Sequence, residues 1–202
     1  PDLQTTAVVV LSNNDGCVVS RSNEAKELGV KMGQPWFECR ALSEKHYILA
    51  LSSNYPLYAD ISNRVMNILR SYSPIHQVYS IDECFIDLTG ISKTREISYQ
   101  IRERVIKWTG IPVCIGIGPT KTLAKLANFI AKKHPKSKGV FNYNDLSKIQ
   151  QQKILNCIPV NKVWGVGHRL STQLKESGIN TVEDLKTAHI PTLRKKFSVV
   201  ME

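Results

Sequence analysis

Two carboxylates, Asp82 and Glu83, stand side by side between two short apolar runs, a placement that restricts the local chain path to a tight hairpin. In an extended strand consecutive side chains point to opposite faces, so the pair can address one ion only if the backbone turns sharply beside it. Residues 77–81 and 84–88 have strand composition, and Thr89 and Gly90 close the second run. Two carboxylates at a hairpin tip make a hard oxygen site suited to Mg²⁺, which keeps positions for water and substrate phosphates. Acidic residues also populate ordinary solvated turns, and the hexapeptide 80–85 by itself leaves both readings open.

The surrounding periodicity supplies the architecture. Over residues 55–72, Leu57, Ile61, Val65, Ile68 and Leu69 recur at helical spacing; after Gly90, Ile97, Ile101, Val105 and Trp108 mark a second helix, and 111–117 is a buried-type strand. Strand, helix, hairpin, helix, strand is the split β-α-β order of a ferredoxin-like sheet, with both helices on one face and the carboxylates on the open one. The predicted class is α+β. Upstream, 7–11 and 17–20 read as a hairpin about the turn SNNDG at 12–16. Ser22 caps a short helix stopped by Gly29, and Trp36 and Phe37 anchor a short helix or loop, giving a small mixed subdomain to about residue 53.

The string GIGPTKT at 116–122 invites comparison with a phosphate-binding P-loop, but Thr120 stands where that loop needs glycine, so the reading is rejected. Pro119 suits the first turn of the next helix. Along it, at about 100° per residue, Lys121, Lys125 and Lys132 fall within roughly 40° of one another, opposite Leu123, Leu126, Ala127 and Ile130. Such a stripe is usually a solvated face. Continued by Lys133, His134, Lys136 and Lys138 beside a carboxylate site, it suits a triphosphate or a DNA backbone.

The last third predicts a helix over about 145–155, then Gly165-Val166-Gly167 leading into a helix that closes on Gly178-Ile179. This pattern resembles a helix-hairpin-helix, whose glycine turn and helix N-terminus approach a phosphate without reading sequence. A plain tight turn is the other reading. Helices near 181–188 and 191–197 read as packing elements.

Lys and Arg number 27 against 17 Asp and Glu, a net charge of +10 that favours a polyanionic partner, nucleic acid first. No apolar run approaches the length of a membrane span and no signal-peptide pattern is seen, so no membrane association is expected. Five cysteines, odd in number and without a Cys-x-x-Cys pair, argue against a zinc site or a disulfide framework and suit a reducing cytoplasm.

Taken together, SNNDGC at 12–17, EAKELGVKMG at 24–33, SSNY at 52–55, YAD at 58–60, SIDE at 80–83 and TKTLAKLAN at 120–128 resemble the Y-family translesion DNA polymerases. Within that family the chain is similar to the UmuC-like catalytic subunits of the bacterial SOS polymerase V group and their plasmid-borne relatives. The resemblance implies fingers over 1–53, a palm over 54–139 and an all-helical thumb with the helix-hairpin-helix over 140–202. It implies error-prone DNA synthesis past damaged bases, with Asp82 and Glu83 as catalytic carboxylates holding two Mg²⁺ ions together with a dNTP and primer-template DNA.

By the same resemblance, Asn23, Lys26 and Lys132 contact the nucleotide. Asn23 and Lys26 depart from the tyrosine and arginine common there, which bears on bidentate phosphate contact. Cys17, Val18 and Val19 lie over the templating base, and Lys121, Lys125, Gly165, Val166 and Gly167 hold DNA. A UmuD-like accessory dimer, RecA and the sliding clamp are the implied partners, in a bacterial cytoplasm. The family's first palm strand, with a third metal carboxylate and a following aromatic residue, and its little finger have no counterpart in these 202 residues, which are therefore expected to have little or no polymerase activity alone. The competing readings are a non-catalytic DNA-binding module, a nucleotide cyclase on a similar sheet and, within the family, a polymerase IV-like enzyme.

Overall fold

The computed structural model describes residues 2, 3 and 5–197, and the chain divides into two compact units, Pro1–Ile61 and Ser62–Glu202. The expected thumb and residues 62–139 of the expected palm thus fall in the second unit, palm residues 54–61 fall in the first, and residues 198–202 of the expected thumb lie outside the described residues.

In the first unit β1 (Val8–Leu11) pairs antiparallel with β2 (Val18–Arg21) and parallel with β3 (Leu49–Ser52), in the order β2-β1-β3. A parallel pair needs a crossover, supplied by α1 (Asn23–Glu27) and α2 (Trp36–His46). The Ser22 hydroxyl accepts from the Ala25 amide at 3.3 Å, and Gly29 ends the turn at φ 91°. Val9, Val18, Ala25 and Cys39 form the core. Neither β3 nor the full length of α2 was legible. In α2 only Cys39 is buried, so no apolar stripe marks it, and Phe37 points outward at 71% exposure while Trp36 packs on the core.

The unit boundary falls within α3 (Tyr55–Arg70). Its Met66 and Ile68 are buried, whereas Leu57, counted in the predicted stripe, is exposed. In the second unit β4 (His76–Val78) and β5 (Cys84–Ile86) form the expected hairpin, with His76 opposite Ile86 and Val78 opposite Cys84. Next come α4 (Thr94–Thr109), β6 (Ile115–Ile117), α5 (Lys121–Lys133) and β7 (Val140–Asn142). Helices α3 and α4 lay Val65, Leu69, Ile101 and Val105 against Ile86 of β5 and Ile115 of β6, so both cover one face as predicted. Trp108 instead leaves the apolar stripe at the end of α4, where Arg104 lies over its ring.

Two expectations are corrected. The predicted single ferredoxin-like sheet is divided: β4 pairs with β5 and β6 with β7, and among the described residues no ladder joins β5 to β6. A cleft of about 420 Å³ lies between those two edges, floored by Val65, Leu69, Ile101 and Val105. Nor is the segment from 140 helical from its start. Gly139 at φ 81° delivers residues 140–142 into a parallel ladder with β6 after the α5 crossover. Helices follow: α6 (Lys148–Cys157), α7 (His168–Glu176), α8 (Val182–Thr187) and α9 (Ile190–Phe197). The element ahead of the glycine turn is a single 3-10 turn, Val160–Lys162.

Candidate active site

The turn between β4 and β5 is closed by the Tyr79 and Ser80 amides, which both donate to the Glu83 carbonyl, at 3.0 and 3.1 Å. This bifurcated closure bends the backbone across Ser80, Ile81 and Asp82 and brings both acidic side chains to the tip. Asp82 is exposed, and its Oδ1 accepts from the Ser80 hydroxyl at 2.6 Å. Glu83 is half-buried, and its Oε2 lies 3.0 Å from the Lys125 ammonium. Both acids line the cleft between β5 and β6.

The position of α5 follows from two glycines in the rejected P-loop string. A Cβ on Gly116 would lie 2.0 Å from the Asn128 amide nitrogen and 2.2 Å from the Ala124 carbonyl oxygen; one on Gly118 would lie 2.8 Å from the Ala124 nitrogen. These glycines let the helix rest directly on β6. Thr120, whose hydroxyl accepts from the Leu123 amide at 3.2 Å, is the N-cap, so Pro119 precedes the helix rather than opening it.

The same seat brings two lysines to the hairpin. Lys121 donates to Gln77 and lies over the Phe85 ring; Lys125 meets Glu83 and lies 4.6 Å from the centroid of Tyr79 and 5.2 Å from that of Trp164. Trp164 packs edge-on to Tyr79, and its indole N–H donates to the Tyr79 hydroxyl at 2.9 Å. Gln77, Tyr79 and Trp164 were missed in the sequence, although a spacing pointed to two of them. Two residues along a strand advance about 6.6 Å and four along a helix about 6 Å, so Gln77 and Tyr79 run in step with Lys121 and Lys125. Lys132 is exposed and makes no ion pair among the described residues.

Next to Trp164 the glycine turn is built as predicted in part. Gly165 stands at φ 90°, a conformation costly for other residues, and Gly167 is the N-cap of α7 with no side-chain hydrogen bond at the cap. The helix N-terminus therefore keeps amides available to an anion. Val166 does not share that role: its side chain is buried and its amide donates to Val163 at 3.0 Å.

In the first unit Asn23 and Lys26 are exposed and joined by a 3.0 Å hydrogen bond on α1. Val19 is exposed and Cys17 half-buried, but Val18 is fully buried in the core, which withdraws its side chain from any template base and corrects that expectation.

As a cation site, the carboxylate oxygens of Asp82 and Glu83 fit Mg²⁺ in kind. Among the described residues no cluster of three or more His, Cys, Asp or Glu forms, so the acidic ligands number two. Asn128 also lines the cleft, and its Oδ1 is buried without a hydrogen-bond partner. Burial pushes the neighbouring Cys84 thiol above its ordinary range, so it is no ready thiolate ligand. Among the described residues no helix is long and apolar enough to cross a membrane.

This chain is 48% identical to protein ImpB and 46% identical to protein UmuC, both of Salmonella typhimurium, in alignments that cover all of this chain and 48% of each relative. It thus spans about half the length of the curated relatives it matches. Its fold is similar to that of DinB from Sulfolobus solfataricus, with a TM-score of 0.79 and 27% identity over 99% of this chain and 58% of that one. It is also similar to the protein in an insertion ternary complex of Dbh DNA polymerase, with a TM-score of 0.80 and 26% identity over 100% and 59%. Residues 1–128 match the impB/mucB/samB family, and the chain belongs to that family.

Proposed function

We propose that the chain is the catalytic half of an error-prone translesion DNA polymerase that transfers nucleotides onto a primer opposite damaged template bases. The observation that carries this reading is the hairpin tip itself: two adjacent carboxylates presented beside a lysine helix and an uncapped helix N-terminus. Asp82 and Glu83 would hold two Mg²⁺ ions, which supply charge neutralisation of the triphosphate and activation of the primer hydroxyl. Lys132 contributes a cationic contact to the triphosphate and Lys121 one to the DNA backbone. In the first unit, Asn23 and Lys26 offer polar and cationic contacts to the nucleotide. Gly165, Gly167 and the first turn of α7 hold the DNA backbone without reading its sequence. Cys17 and Val19 bound the templating base.

The cleft between β5 and β6 has room for a further strand carrying a third carboxylate, a reading supported by the two strand edges that flank it and by its apolar floor. Primer-template DNA and a dNTP are the substrates. By the same likeness a UmuD-like accessory dimer, RecA and the sliding clamp are partners of the whole polymerase in a bacterial cytoplasm.

The test is a hybrid in which residues 1–202 replace the corresponding half of Salmonella typhimurium UmuC. Mg²⁺-dependent primer extension across an abasic template site is expected. Asp82→Ala with Glu83→Ala should abolish extension while leaving primer-template affinity within about twofold. Equal loss of extension and DNA binding would favour a DNA-binding module over an enzyme.

A further inference from the structure

Lys125 is held from two sides. Its ammonium lies 3.0 Å from Glu83 Oε2, and the same nitrogen sits in a cage made by Tyr79 and Trp164, which are themselves joined by the 2.9 Å indole-to-hydroxyl hydrogen bond. Tyr79 is in the hairpin that carries the acids; Trp164 directly precedes Gly165 in the turn leading to α7. One side chain thus connects the carboxylate tip to the glycine turn, 85 positions from Tyr79 to Trp164 in sequence. The lysine backbone cannot follow a moving partner, because α5 rests on Gly116 and Gly118 without room for a Cβ. Only the side-chain torsions are free to move.

A divalent ion at Glu83 and an ammonium 3.0 Å from the same carboxylate oxygen compete for one acceptor and repel each other. The ring faces that already flank the ammonium keep a seat for it once the carboxylate is withdrawn, since aromatic quadrupoles attract cations. We propose that Lys125 is a positioning residue: it holds Glu83 when no divalent ion is bound, yields that carboxylate on metal loading, and shifts its ammonium further onto the Tyr79 and Trp164 rings that already flank it. Loading of the hairpin tip is thereby transmitted to the turn that carries Gly165 and Gly167. This inference rests on the metal-site reading given above.

The experiment uses the 202-residue chain with Trp36→Phe and Trp108→Phe, leaving Trp164 as the sole indole. Mn²⁺ affinity is read by electron paramagnetic resonance of the free ion, and Trp164 emission is followed during Mg²⁺ titration at constant ionic strength. The expected result is a saturable emission shift, lost in Glu83→Gln. Lys125→Met should bind Mn²⁺ roughly tenfold more tightly, because a competing unit charge has gone, and should show no Mg²⁺-dependent shift. Lys125→Arg should keep the shift. Unchanged or weaker Mn²⁺ binding in Lys125→Met, or a persisting shift in that variant, overturns the inference. If wild type binds Mn²⁺ through Glu83 while Trp164 stays silent, the coupling through Lys125 fails and the metal site stands. If no variant binds Mn²⁺ through Asp82 and Glu83, the metal-site reading fails and the coupling falls with it.

Discussion

The indole N–H of Trp164 donates to the hydroxyl of Tyr79 at 2.9 Å, tying the loop before α7 to the hairpin that carries Asp82 and Glu83. The two rings meet edge to face at 5.1 Å between centroids, with Phe85 5.7 Å from Trp164. Replacing Tyr79 by Phe removes only the acceptor, and replacing Trp164 by Phe removes the donor and part of the ring. A double-mutant cycle by urea unfolding is expected to give a coupling energy of about 1 kcal/mol. A coupling indistinguishable from zero would show that the loop and hairpin are energetically independent.

Gly116 is a packing residue. With backbone atoms of α5 at 2.0 and 2.2 Å from where its Cβ would stand, Gly116→Ala must push the helix off β6. The expected loss of stability is about 3 kcal/mol or more, measured by chemical denaturation. Lys121 and Lys125 would leave the hairpin with the helix. A stable Gly116→Ala protein with unchanged near-ultraviolet circular dichroism would refute the close seat.

Cys84 should be slow to alkylate. Burial raises its thiol above the ordinary range, which outweighs the opposing hydrogen bond from the Gln77 backbone and the Arg70 charge. Cys157 is exposed. Limited iodoacetamide treatment at pH 8 followed by peptide mass analysis is expected to label Cys157 well before Cys84.

Asp184 makes the closing part of the structure acid-sensitive. Its Oδ2 accepts from the amides of Thr181 at 2.9 Å and Asn180 at 3.0 Å, and the Thr181 hydroxyl accepts in return from the Asp184 amide. These bonds, that from Thr181 foremost, hold the carboxyl below its ordinary range. A carboxylate with a depressed folded-state pKa stabilises the fold above its unfolded value, about pH 4, and that contribution is lost as pH falls through the folded value. Asp184→Asn should therefore be less stable than wild type at pH 7, and the difference should shrink below about pH 4. A gap that stays constant through the acid range would contradict this.

What the linear chain carried was local. The hairpin about Asp82 and Glu83, the cap at Ser22, the two-sided helix with Lys121, Lys125 and Lys132, and the glycine turn at 165–167 are each set by side-chain period or by a backbone conformation that only certain residues adopt, so each is legible within about a dozen positions. Where a stripe is absent, as in α2, or a strand is four residues long, as in β3, the local signal is too weak to read. The tertiary structure decided everything that depends on separation in sequence. It placed residues 140–142 beside β6, left the edges of β5 and β6 facing a cleft instead of each other, and buried Val18. It also put Lys125 between Glu83 and Trp164, which no period of 2 or 3.6 encodes, because such contacts are fixed by which surfaces pack when the chain excludes water.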